Sequence, residues 1–121
     1  MTATGYLTTH VLDTARGLPA AGMAVTLWRL DGPEGRRRLA GTHTNADGRT
    51  DTPILPAGQC VPGVYELEFA VGAYFEAAGL ASESPRFLDI VPIRFGIADP
   101  SAHYHVPLLV SPYAFSTYRG S

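Results

Sequence analysis

A chain of 121 residues with 45% apolar and 17% charged side chains has the length of one domain, here expected over residues 1–121, and too much hydrophobicity for intrinsic disorder. Its net charge of −2 and pI near 6.0 argue against the basic face of a nucleic-acid binder, and no run approaches the roughly 18 consecutive apolar residues of a membrane helix. Cys60 stands alone, which excludes an intrachain disulfide and a cysteine-based zinc cluster; with no basic, apolar leader over residues 1–7, a cytoplasmic setting is the default.

Thirteen glycines and ten prolines cut the chain into short pieces whose apolar residues recur every second position, so strands are predicted nearly throughout. Residues 7–12 alternate, which sets His10 and Leu12 on one face and Leu7, Thr9 and Val11 on the other. Residues 16–22 read as a turn, 23–30 as a second strand and 31–35 as a loop, with the basic run Arg36 to Arg38 as a solvated turn. A third strand over 38–45 is turned sharply at 46–49, where Asp47-Gly48 suits a position of positive φ. Residues 52–55, hemmed by Pro53 and Pro56, make at most a short edge strand.

Tyr65, Leu67, Phe69 and Val71 alternate with Glu66 and Glu68, the clearest pattern of a strand buried on one face. Residues 74–80 are the sole helical candidate, with Gly79 near the end as a C-cap. Strands over 86–97, 103–110 and 113–118 complete a set of seven or eight. The fold class predicted is therefore all-β, a two-sheet antiparallel sandwich with one short helix.

Histidines come first among candidates for chemistry, because imidazole both takes and gives a proton near neutral pH. His10 lies within a strand, so its ring faces solvent, a partner subunit or a pocket. His103 and His105 are two apart on one strand and project to one face. Hydrogen-bonded histidines with no catalytic task are one reading, and a three-ligand zinc site from His10, His103 and His105 is a sharper one. Arg49, following the tight turn, is placed to direct a guanidinium at an anion or at carbonyl oxygens. Cys60 has no sequence-adjacent base and reads as a packed or exposed thiol. No nucleophile elbow, phosphate-binding glycine loop, dinucleotide fingerprint or His-Glu-x-x-His motif is present.

Four segments taken together resemble the transthyretin-related family of 5-hydroxyisourate hydrolases: Leu7-Thr8-Thr9-His10-Val11-Leu12-Asp13, Asp47-Gly48-Arg49, the run from His103 through Leu109, and the terminal Tyr118-Arg119-Gly120-Ser121. The resemblance covers nearly the whole chain. Ser111-Pro112-Tyr113 followed by Ser116-Thr117 also resembles the hormone-carrier branch, so the histidines and the terminal tetrapeptide are what favour the enzyme branch.

What the resemblance implies is a transthyretin-like sandwich of two four-stranded sheets with a helix after the fifth strand, assembled as a homotetramer, a dimer of dimers with active sites in its central channel. It further implies hydrolysis of 5-hydroxyisourate to 2-oxo-4-hydroxy-4-carboxy-5-ureidoimidazoline in urate degradation, without metal or organic cofactor. The implied catalytic residues are His10, Arg49, His105 and Ser121. The substrate-binding set adds Tyr118, Arg119 and Gly120, and His103 is treated as flanking. Neither nucleic acid nor membrane is an expected partner, and a Gly-Ser ending gives no support for peroxisomal targeting. The alternative is a small-molecule carrier using the same channel, and the polarity of that channel discriminates between the two.

Overall fold

Strands that are apolar on one side only can bury that side by stacking two sheets face to face, and the computed structural model, which describes residues 4–81 and 83–120, is built this way. The elements in chain order are β1 (Leu7–Asp13), β2 (Leu18–Pro19), β3 (Ala24–Leu30), β4 (Arg36–His43), β5 (Gly63–Ala70), α1 (Val71–Ala77), β6 (Ile90–Ile97), β7 (Tyr104–Val110) and β8 (Phe115–Thr117). One sheet has the order β2-β1-β7-β8 and the other β4-β3-β5-β6. The expected sandwich of two four-stranded sheets, with a helix following the fifth strand, is present.

One pairing departs from an all-antiparallel sandwich: β1 and β7 run parallel, with Thr8 opposite His105 and His10 opposite Pro107. A parallel neighbour needs a long crossover, and the chain supplies it by traversing the entire second sheet between the two strands. Two further differences are local. In 52–55 only Leu55 joins the ladder, as an isolated bridge to Leu7, because the flanking prolines withhold donors. The helix starts at Val71 rather than Tyr74. Val71 fits the strand period begun at Leu67 and Phe69, yet with Gly72 and Phe75 it also forms the buried side of α1. Gly79, at φ +75°, ends the helix as expected.

The core between the sheets holds Leu7, Val11, Val25, Leu27, Leu67, Phe69, Leu108 and Val110, and Phe75 of α1 is buried in the same cluster. Each such side chain contributes roughly 1.5–3 kcal/mol on burial. Cys60 is buried in this core, and burial pushes its thiol pKa up, away from nucleophilic use. Asp13, also buried, accepts hydrogen bonds from the Arg16 backbone N–H, Arg16 Nε and the Tyr74 hydroxyl, tying the end of β1 to α1. Burial alone would raise the pKa of this carboxyl, but the Arg16 and Tyr74 hydrogen bonds together hold it below the ordinary value. Arg36 to Arg38 are exposed as read from sequence, but they lie within β4 rather than in a turn. Among the described residues no helix is long and apolar enough to cross a membrane.

Candidate active site

The alternation of β1 that buries Leu7, Thr9, Val11 and Asp13 turns Thr8 and His10 onto the outer face of the first sheet. Parallel register then sets His105 beside Thr8 on that same face. Arg49 arrives from a turn in the connection between β4 and β5 of the second sheet, which reaches across to β1. The Asn45 side-chain oxygen accepts the backbone N–H groups of Asp47 (2.9 Å) and Arg49 (3.2 Å), the arrangement that makes Asn a turn former. Gly48, at φ +74°, accepts the Val11 N–H at its carbonyl, 2.8 Å away, and a side chain on Gly48 would collide with the Val11 carbonyl oxygen. Pinned in this way, Arg49 forms an isolated bridge with His10.

Beside these strands lies a cavity of about 300 Å³ lined by Tyr6, Thr8, Arg49, Thr50, His103 and His105. His10 flanks it through its bridge to Arg49 and is not in its lining in the single chain. Both site imidazoles titrate below the ordinary value of 6.5. For His10 burial is the larger cause and the Arg49 guanidinium the second, with Asp47 pulling partly the other way. For His105 burial again leads, followed by Arg49, His103 and His10. At neutral pH both rings are therefore neutral, each with a lone pair able to accept a proton.

The chain end divides. Gly120 donates its N–H to the His105 carbonyl at 2.8 Å, and a side chain there would come within 2.5 Å of His105 Cδ2, so bare backbone lies against the imidazole. Tyr118 and Arg119 turn elsewhere in the single chain. They line a second cavity, about 330 Å³, with Ile93, Phe95 and Tyr104, and the Arg119 guanidinium sits 4.3 Å over the Tyr104 ring. Tyr118 is 60% exposed. Ser121, expected to be catalytic, lies outside the described residues.

Of the expected site residues, then, the fold brings His10, Arg49, His105 and Gly120 together. It adds Thr8 and His103, which meet through the Thr8 hydroxyl, 2.7 Å from both His103 Nε2 and His105 Nδ1. Sequence reasoning passed over Thr8, and its only signal was the shared face with His10 in an alternating strand. The zinc reading required His10, His103 and His105 to converge as ligands, and among the described residues no three His, Cys, Asp or Glu groups are so placed. A further cavity, about 810 Å³, lies between β4 and the 50–61 loop. It contains no histidine. Its arginines are committed, Arg29 to the Val61 and Pro62 carbonyls and the Tyr65 hydroxyl, and Arg37 to Asp31.

Residues 7–120 match the profile of the HIUase/Transthyretin family. A relative from Rhizobium meliloti named 5-hydroxyisourate hydrolase 2 is 54% identical over 121 residues, with 100% of both chains covered. Among solved structures, Klebsiella pneumoniae 5-hydroxyisourate hydrolase superposes with a TM-score of 0.78 at 38% identity, covering 97% of this chain and 94% of that one. An (S)-allantoin synthase superposes with a TM-score of 0.92 at 48% identity over 100% of this chain, which spans only 46% of that longer protein.

Proposed function

The chain belongs to the HIUase/Transthyretin family, and we propose that it hydrolyses 5-hydroxyisourate to 2-oxo-4-hydroxy-4-carboxy-5-ureidoimidazoline, the activity for which its similar relatives are named. The observation that carries this reading is the pairing of two imidazoles, both held neutral, with a positioned guanidinium on one outer sheet face. Opening the ring requires water to add to a ring carbonyl and an amide-like C–N bond to break. A base must take a proton from water, a donor must meet the developing oxyanion, and an acid must protonate the departing nitrogen.

His105 and His10 together position and deprotonate water and return the proton to nitrogen, and Arg49 meets the oxyanion. Among the described residues no carboxylate pairs with Arg49, so its charge is available to substrate oxygens. The positive charge of Arg49 serves twice, since the same field that would stabilise an oxyanion also keeps the imidazoles deprotonated. Gly120 leaves room for the His105 ring, and Ser121 would add its hydroxyl or terminal carboxylate beside it. Two imidazoles and a guanidinium suit a polar, carbonyl-rich heterocycle better than an apolar hormone, which favours the enzyme over the carrier.

We further propose a homotetramer, a dimer of dimers in which neighbouring copies close the site. Its support is that the cavity is open in one chain, while Tyr118 and Arg119 face away from it at an exposed edge. A cytoplasmic location fits a lone, buried, reduced cysteine. The test follows the absorbance of freshly generated 5-hydroxyisourate with and without protein, alongside His10→Asn and His105→Asn. The expected result is accelerated decay with the parent protein and losses of about 10²–10⁴ in each variant. Decay no faster than in buffer would overturn the reading.

A further inference from the structure

The Thr8 hydroxyl carries one proton and stands 2.7 Å from two imidazole nitrogens, His105 Nδ1 and His103 Nε2. With a single proton it can donate to only one of them, so it must accept from the other. The tautomers of His103 and His105 are thereby made complementary. If Thr8 donates to His105 Nδ1, the proton of His105 resides on Nε2 and His103 presents Nε2–H to the hydroxyl. If Thr8 donates to His103 Nε2, His105 carries its proton on Nδ1 and exposes a lone pair at Nε2. His105 lines the cavity and its Nδ1 is engaged with Thr8, so Nε2 is the nitrogen left for substrate.

This triad is built in by the fold. Parallel register sets Thr8 opposite His105, the Tyr6 carbonyl accepts the Tyr104 N–H at 2.9 Å, and the Tyr6 ring stacks on His103 with centroids 4.1 Å apart and planes 16° from parallel. Residues 6 and 8 of one segment thus lock residues 103 and 105 of the other. Among the described residues the charged and titratable groups that act on His105 are Arg49, His103 and His10, none of them a carboxylate. A carboxylate orienting the ring would favour imidazolium, whereas a hydroxyl orients it without adding negative charge.

We propose that Thr8 is the positioning residue of His105 and that it couples His105 to His103 in a hydroxyl-bridged proton relay. As water attacks the ring carbonyl, its proton goes to His105 Nε2. The Nδ1 proton of His105 passes to Thr8 Oγ1 while the Thr8 hydroxyl proton passes to His103 Nε2, leaving His103 as imidazolium and His105 neutral with its proton on Nε2. His105 delivers that proton to the departing nitrogen as the C–N bond breaks, and the return transfer from His103 through Thr8 restores the starting state. No net proton is gained or lost, and the hydrolase reading supplies only the substrate.

The experiment uses the full chain with ¹⁵N-labelled histidine and the variants Thr8→Val, Thr8→Ser and His103→Phe, the last keeping an aromatic ring to stack on Tyr6. Ring ¹⁵N shifts report the His105 tautomer without substrate, and steady-state kinetics with 5-hydroxyisourate report the relay. Thr8→Val and His103→Phe should each change the His105 tautomer ratio and lower kcat by about 10- to 100-fold with KM changed less than about twofold, and Thr8→Ser should restore both toward the parent. Shifts that respond to Thr8→Val in a protein with no hydrolase activity would sink the substrate assignment and the relay's catalytic task, while supporting the positioning of His105. Unchanged His105 shifts in both Thr8→Val and His103→Phe would overturn the relay whatever the activity.

Discussion

Two imidazoles that titrate low beside a fixed guanidinium are present at neutral pH in the form that a general base requires. Burial is the main cause for both rings and Arg49 the second. The sign follows directly: a lower pKa in the fold means that acid must fall further below 6.5 before either ring is protonated, so the acid limb of the kcat/KM profile should lie below that value. Replacing Arg49 with Gln removes the second cause while leaving burial in place. The acid limb should then move up toward pH 6.5, together with a loss of about 10²–10³ in rate if Arg49 meets the oxyanion. A limb that stays where it was would show that the rings titrate independently of the guanidinium. The same shifts act on stability. An unfolded histidine takes its proton near pH 6.5, whereas His10 and His105 in the fold resist it. Their contribution is intact above the unfolded value and is lost as pH falls through the folded ones, which thermal unfolding across pH 5–7 would show as a declining midpoint.

At the scale of elements, the site depends on one turn approaching one strand. Gly48 holds Arg49 in place because it accepts the Val11 N–H, adopts a left-handed backbone and leaves no side chain to strike the Val11 carbonyl. Gly48→Ala would cost about 1–2 kcal/mol for the backbone alone, and the collision with backbone, which cannot rotate away, adds to it. A thermal midpoint several degrees lower and a fall in kcat/KM larger than stability explains are expected, because relief of the clash moves Arg49 away from His10. Native kinetics in a folded Gly48→Ala would show that the approach is dispensable. The turn itself was legible in the sequence, since Asp-Gly between strands has few conformations to choose from. So was the outward face of His10, because a period of two admits only two faces. What escaped the sequence was pairing at long range. Nothing near Thr8 indicates that His105, 97 residues away, lies opposite it in a parallel ladder, and the relation of His103 to Thr8 follows from that register alone. The start of α1 escaped for the opposite reason, because Val71 satisfies both the strand and the helix pattern and only packing decides between them.

For the whole molecule, the two sheets present unlike edges. The β4 edge carries Arg36, Arg37 and Arg38, charges that discourage a further strand from adding there. The opposite edges, β6 and β8, carry exposed Ile90 and Phe115, with Tyr113 and Tyr118 close by in sequence to β8. Association should therefore proceed through the β6 and β8 side, and this is also where Tyr118 and Arg119 line a cavity with residues of β6. If neighbouring copies complete the site, integrity of the chain end and assembly should affect activity together. Sedimentation of the parent protein should give four times the 12.9 kDa chain mass. Phe115→Asp should break that assembly and lower kcat/KM, whereas residues appended after Ser121 should lower kcat/KM with the assembly intact, because they obstruct the backbone that lies against His105. A dissociated Phe115→Asp protein with parental kinetics would show that each chain carries a complete site, and the open cavity beside β1 and β7 would then be sufficient for catalysis by itself.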